Sequence, residues 1–183
     1  MRKKNDALRD TILDCARSLA DTEGIASVNI RTIAGKAHIA TGTVYNYFSS
    51  KDEILLALTE EYWTDTLYKI AENLTAQTFC EQLEEIFTHL REEMNGYGGV
   101  LMRSLGNVEN AGQERMASVH TVLQQLILQK LEQDSNISKD VWDHTFTKER
   151  YASFLMKHIT MMMNAETPDF NFFTALIRRT VYQ

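Results

Sequence analysis

Between residues 41 and 51 the chain sets out two threonine hydroxyls (Thr41, Thr43), a carboxamide (Asn46), two phenols (Tyr45, Tyr47) and an ammonium (Lys51). Asn46 suits a bidentate contact to adenine, and Thr43 suits a thymine methyl. Tyr45, Tyr47 and Lys51 suit phosphate oxygens, which fix the pose of a binding module without reading sequence. Gly42 has no side chain, so the backbone there can come close to a phosphate or a base edge. Backbone N–H groups at a helix start, where Thr41 stands, favour phosphate as well. Asn29 and Arg31, which open the preceding helix, complete the candidate set for contacts to duplex DNA.

Such groups can face outward only if others face inward. Val44 and Phe48 are four residues apart and share one side of a short helix, where they can anchor against Ile12, Ile30 and Ile33. Consecutive helical residues are about 100° apart, so Tyr45, Tyr47 and Phe48 cannot all face inward. The spacing predicts Thr41, Thr43, Asn46 and Tyr47 on the outer surface, with Tyr45 at its border. The anchoring helices are legible too. A first helix is expected over residues 6–22, from Leu8, Ile12, Cys15, Ala16 and Leu19, with Gly24 ending it. Asn29 is a good N-cap for a second helix, and Ala37-His38-Ile39 is the turn into a third, over 41–47. Ser50-Lys51-Asp52-Glu53 reads as a capping box opening a long fourth helix to about residue 73.

The rest of the chain is helical by the same criteria. Thr78 to Glu81 is a second capping box, opening a helix to about residue 94. The glycines between 96 and 106 predict a short helix between loops, followed by helices over about 111–134 and 148–164. Thr167-Pro168-Asp169 reads as a helix start with Pro168 at the first helical position. The fold class is all-α, with about nine helices: an N-terminal three-helix helix-turn-helix domain over 1–51 and a C-terminal helical domain over 52–183. Tyr151, Leu155, Ile159 and Met162 of the eighth helix, and Phe173, Ile177 and Val181 of the ninth, are the expected dimer interface, pairing with a second copy in a four-helix bundle.

Bulk composition narrows the class. With 44% hydrophobic and 24% charged residues, 8 Gly and 1 Pro, the 183-residue chain suits a globular helical protein rather than a turn-rich β fold. Net charge is −6, yet residues 1–51 carry 8 basic and 5 acidic residues against 11 and 20 in the remainder. A basic end on an acidic body turns one face toward a polyanion. Cys15 and Cys80 lie in apolar stretches without metal spacing and are expected to be buried thiols in a reducing cytoplasm. The basic start lacks the apolar stretch of a signal peptide, and no apolar run approaches the ~18 residues of a spanning helix, so no membrane partner is expected. Glu81, Glu85 and His89 admit a metal site by spacing, but a solvated acidic face is the simpler reading. No metal, cofactor or catalytic motif is expected, and an enzyme is disfavoured.

The motifs together resemble the tetracycline-repressor-like (TetR) family of bacterial regulators. The resemblance rests on Ile12-Leu13-Asp14-Cys15-Ala16, Gly24, Ile33-Ala34, Ala37, Gly42-Thr43-Val44-Tyr45, Tyr47-Phe48 and Ser50-Lys51-Asp52-Glu53-Ile54-Leu55, roughly residues 7–56. Two positions depart from the family's habit. His38 stands where Gly is common in the turn, and Ala40 where Ser often starts the third helix, so that Thr41 is left to supply the hydroxyl. The resemblance implies a homodimeric repressor on a palindromic double-stranded operator. It also implies a C-terminal ligand-binding and dimerisation domain and a small-molecule effector that releases the DNA. Tyr62, Trp63, Phe87, Met94, Met102, Met116, His120 and Phe154 are the candidate pocket lining, although apolar stripes more often form core. The alternative is a regulator of the same kind controlled by a protein partner, with no small-molecule pocket.

Overall fold

The computed structural model describes residues 6–105 and 111–182. The basic start (Arg2, Lys3, Lys4) and Gly106 lie outside the described residues. Among those described, the chain forms α1 (Asp6–Glu23), α2 (Ile30–Lys36), α3 (Thr41–Tyr45), α4 (Lys51–Asn73), α5 (Phe79–Asn95), α6 (Tyr97–Ser104), α7 (Ala111–Gln133), α8 (Lys148–Met163) and α9 (Phe170–Val181), with no strand. These fall into two compact units. The first holds α1 to α3, α4 as far as Tyr62, α6 from Gly98 and α7 as far as Met116; the second holds the remainder.

In the first unit Ile12, Leu13, Ala16 and Leu19 of α1 pack with Ile33, Ala34, Val44, Phe48, Ile54 and Leu55 in one buried cluster. Gly24, at φ +84°, ends the helix–turn after α1, and its N–H donates to the Ala20 carbonyl. A side chain would strain that backbone, which is why glycine serves there. Asn29 caps α2: its side chain accepts from the Arg31 and Thr32 N–H groups while the Thr32 hydroxyl accepts from Asn29 N–H. The α4 start differs in detail from expectation. Ser50 does cap the Glu53 N–H, but the Glu53 carboxylate accepts from the Ser49 N–H and hydroxyl, one residue further back.

In the second unit α5 packs against α8 and α9. Thr78 and Glu81 form the reciprocal cap expected of them. Glu85 and His89 serve local structure: the Glu85 carboxylate accepts from the Thr75 N–H and hydroxyl and the Ala76 N–H, and His89 Nδ1 lies against the Glu85 carbonyl. Pro168 is not the first helical residue of α9. Asp169 is the N-cap, its carboxylate accepting from Phe172 N–H, so the proline lies just outside the helix. The stretch after α7 is more than a polar link. Asp134 is buried and its carboxylate accepts from Phe79 N–H at 2.8 Å, Asn136 N–H at 2.8 Å and the Tyr182 hydroxyl, joining the ends of α5, α7 and α9.

The interface expectation for α8 and α9 needs correction. Tyr151, Leu155, Ile159, Met162, Phe173, Ile177 and Val181 are all buried within their own chain. The i, i+4 stripe picked from the sequence is the one each helix turns to its own core, with only Tyr151 and Ile177 reaching a surface groove beside Phe154 and Leu176. The outward apolar groups are instead Phe154, Met161, Phe172 and Leu176.

Candidate nucleic-acid interface

The site is built on the turn between α2 and α3. After α2 the His38 N–H donates to the Gly35 carbonyl and the Ile39 N–H to that of Ala34, the paired bonds of a Schellman ending. This ending requires a left-handed residue between them, and His38 takes it at φ 54°. His38 is therefore a turn residue, tolerated where glycine would be cheaper. Ile39 packs partly against the core and redirects the chain. Ala40 then sits at the N-cap of α3 in extended conformation with no side-chain cap. Thr41 is the first helical residue rather than the cap, so its exposed hydroxyl does not replace the missing one.

α3 turns Val44 (0% exposed) inward, and Phe48 (2%) follows it into the same cluster. Thr41, Gly42, Tyr45 and Asn46 are exposed, and Thr43 is half-buried. A Cβ added at Gly42 would meet open space, so that stretch of backbone faces solvent unobstructed. The two tyrosines exchange the places expected of them. Tyr45 stands 58% exposed, whereas Tyr47 is half-buried against the core. The cause is the early end of α3. The helix stops at Tyr45 and the chain turns through Asn46 and Tyr47, so the 100° rule no longer applies there. Lys51, half-buried, is the first residue of α4. Arg31 is exposed at the start of α2, but the side chain of Asn29 is taken up by the cap and by donation to the Ser27 carbonyl.

The candidate pocket residues are divided between the units. Tyr62, Met102 and Met116 belong to the first, and Trp63, Phe87, Met94, His120 and Phe154 to the second. Trp63 and Phe87 are buried, with the Phe87 ring stacked on Phe170 at 4.2 Å. Phe154 is 41% exposed and lines a surface groove with Phe146 and Leu176. His120 is half-buried, and burial holds its imidazole pKa below the ordinary range, favouring the neutral ring. Sequence reasoning missed the Asp134 anchor. Its signal was the lone acid closing a long helix, which reads like any polar linker.

Two short helices joined by a left-handed turn, the second showing hydroxyl, amide and phenol groups over a buried Val–Phe anchor, make a helix-turn-helix DNA-binding domain. A profile described as bacterial regulatory proteins, tetR family, matches residues 12–58. Over those residues the chain is similar to TetR-family regulators. A regulator of Xanthobacter autotrophicus, named an uncharacterized HTH-type transcriptional regulator in the dhlA 5' region, is 32% identical over 95 residues, 52% of this chain and 46% of that protein. The HTH-type transcriptional repressor KstR of Rhodococcus jostii is 42% identical over 55 residues, 30% of this chain and 26% of that protein. The matches thus span less than half the length of these relatives. The solved structure of RolR in complex with resorcinol superposes at a TM-score of 0.63 with 22% identity, over 96% of this chain and 88% of that one. The R. erythropolis transcriptional repressor QsdR superposes at 0.62 with 17% identity, over 97% and 96%. These likenesses show that the fold extends through the helical body. No described helix is long and apolar enough to cross a membrane.

Proposed function

We propose that this chain acts as a dimeric transcriptional repressor, bound to a palindromic operator and released by a small molecule. The observation that carries the reading is the outward face of α3, with Thr41, Gly42, Thr43, Tyr45 and Asn46 standing over buried Val44 and Phe48. Asn46 and Thr43 read base edges; Tyr45, Lys51, Arg31 and the backbone at Gly42 hold phosphates, and Tyr47 contributes its phenol from the border. Asn29 acts by shaping the start of α2. The reading head is residues 1–51, and residues 52–183 carry dimerisation and the effector. The acting form is cytoplasmic and turns over no substrate.

Dimerisation falls to the outer faces of α8 and α9, where Phe154, Met161, Phe172 and Leu176 are exposed. α4 runs unbroken from Lys51 at the reading head to Asn73 in the body, which makes it the lever for release. An effector acts only if it prefers one arrangement of the two heads over the other. RolR, of like fold, was solved with resorcinol and EbrR with malachite green, which supports a small ligand in this body too.

Selection from a randomised duplex pool, followed by footprinting, tests the reading. It should yield a symmetric site with half-sites on the order of 34 Å apart, one helical turn. Failure to enrich any sequence over random DNA would remove the proposal.

A further inference from the structure

We propose that Glu61 is a positioning residue for the recognition segment, holding α4 to α1 through Arg17 and Arg9, with Arg9 passing the constraint to Phe48. The inference rests on the DNA-reading role of α3. It adds a residue that lies outside every motif of the reading head.

The geometry is a two-sided clamp. Arg17 Nη2 donates to Glu61 Oε2 at 2.7 Å, while its Nη1 donates to Asp14 at 2.8 Å, so the guanidinium is held from both helices. Arg9 Nη1 lies 3.8 Å from Glu61 Oε1 and 3.9 Å from Asp10. The same guanidinium stands 5.5 Å from the centroid of the Phe48 ring, within cation–π range. Phe48 is the buried anchor that ends the recognition segment, and its N–H donates to the Val44 carbonyl. Glu61 therefore reaches, by way of one arginine, the side chain that fixes how α3 presents its outer face. It stands near the end of the α4 stretch that belongs to the first unit, so a roll or shift of α4 moves this carboxylate.

A plain stabilising role fits less well. Burial pushes the Glu61 carboxyl above its ordinary range; attraction to Arg17 and Arg9 opposes this, and Asp10 adds to it. A carboxyl raised on folding favours the fold most when protonated, and that contribution is lost as pH rises through the folded value. Both ion pairs are partly open to solvent, where such pairs contribute little to stability, so removing the charge should barely move the thermal midpoint. What it supplies is direction: two arginines aimed at one point on α4.

The experiment uses the full-length chain and the operator selected above. Variants are Glu61→Gln, Glu61→Ala, Arg9→Gln, and Glu61→Ala combined with Arg9→Gln. Operator affinity, thermal midpoint and DNA-free amide exchange at Val44 to Phe48 are measured for each. Glu61→Ala should weaken operator binding by on the order of threefold to tenfold, the range of coupling between contacting residues. Exchange at Val44 to Phe48 should quicken while the midpoint holds or rises. Glu61→Gln should fall between Glu61→Ala and the parent, and the double variant should lose no more than Glu61→Ala alone, because both changes cut one link. Unchanged affinity and exchange in Glu61→Ala would overturn the proposal, as would a loss that tracks a falling midpoint, or losses from Glu61→Ala and Arg9→Gln that simply add. Were the parent itself to bind no operator, the DNA-reading role would fail, and the exchange rates would still decide whether Glu61 positions the segment.

Discussion

α3 and α9 are both amphipathic, and they spend their outer faces in opposite ways. α3 commits Val44 to the core, with Phe48 just beyond its end, and presents hydroxyls, an amide and a phenol outside. α9 commits Phe173, Ile177 and Val181 to the core yet still shows Phe172 (67% exposed) and Leu176 (45%) to solvent. The inner faces obey one rule, the 3.6-residue period, and say only which side is packed. The outer faces differ in what they lose by meeting a partner. Polar groups on α3 give up water for phosphate and base edges at little net cost, whereas each exposed apolar Å² on α9 gains about 25 cal/mol when covered. On the proposed reading the duplex falls to one helix and a second copy of the chain to the other.

The strongest way to break the comparison is to charge the outer face of α9. Phe172→Asp with Leu176→Asp should leave the chain folded, since neither side chain is in the core, and convert it to a monomer by analytical ultracentrifugation. Operator affinity should fall by on the order of a hundredfold, as two half-sites stop acting together. A dimer that survives both charges would put the interface elsewhere. The second largest effect belongs to the core that holds α9 in place. Burial alone would raise the Asp134 carboxyl, but donation from Phe79 N–H, the Tyr182 hydroxyl and Asn136 N–H holds it below the ordinary range. Its contribution is therefore present above pH ~4 and is lost as pH falls through the folded value. Asp134→Ala should cost about 1–3 kcal/mol near neutrality by orphaning the Phe79 N–H, and should remove part of the acid-induced loss; urea titration at several pH values checks both. The smallest effect sharpens the other side. His38→Gly should stabilise the first unit by about 1 kcal/mol, by relieving a left-handed residue that carries a Cβ. A loss of stability there would mean that the His38 side chain packs usefully.

The reading head was the more legible region because its signals are local. Asn29 caps within three residues, Gly24 ends a turn, and Val44 and Phe48 are separated by one helical turn. Where local signals misled, the end of an element was displaced. α3 stops at Tyr45, which exchanges the places of Tyr45 and Tyr47, and the cap at Asp169 leaves Pro168 outside α9. The body was legible as helices but not as surfaces. Periodicity marked an apolar stripe on α8 through Tyr151 and Leu155 and another on α9 through Phe173, but what each side of a helix meets depends on partners distant in sequence. The same limit hid Asp134, whose bonds reach Phe79 and Tyr182, and Glu61, whose partners lie on α1.

The central claim, that α3 reads bases while its flanks hold phosphates, is tested most directly by measuring Asn46→Ala, Thr43→Ala and Lys51→Ala on operator and random duplex across a salt series. The account predicts that Asn46→Ala and Thr43→Ala erode the operator-to-random ratio, by about 1–3 kcal/mol for a bidentate Asn46 contact. Lys51→Ala should weaken both duplexes alike and lower the salt slope by about one. Equal losses on both duplexes for all three variants would contradict it.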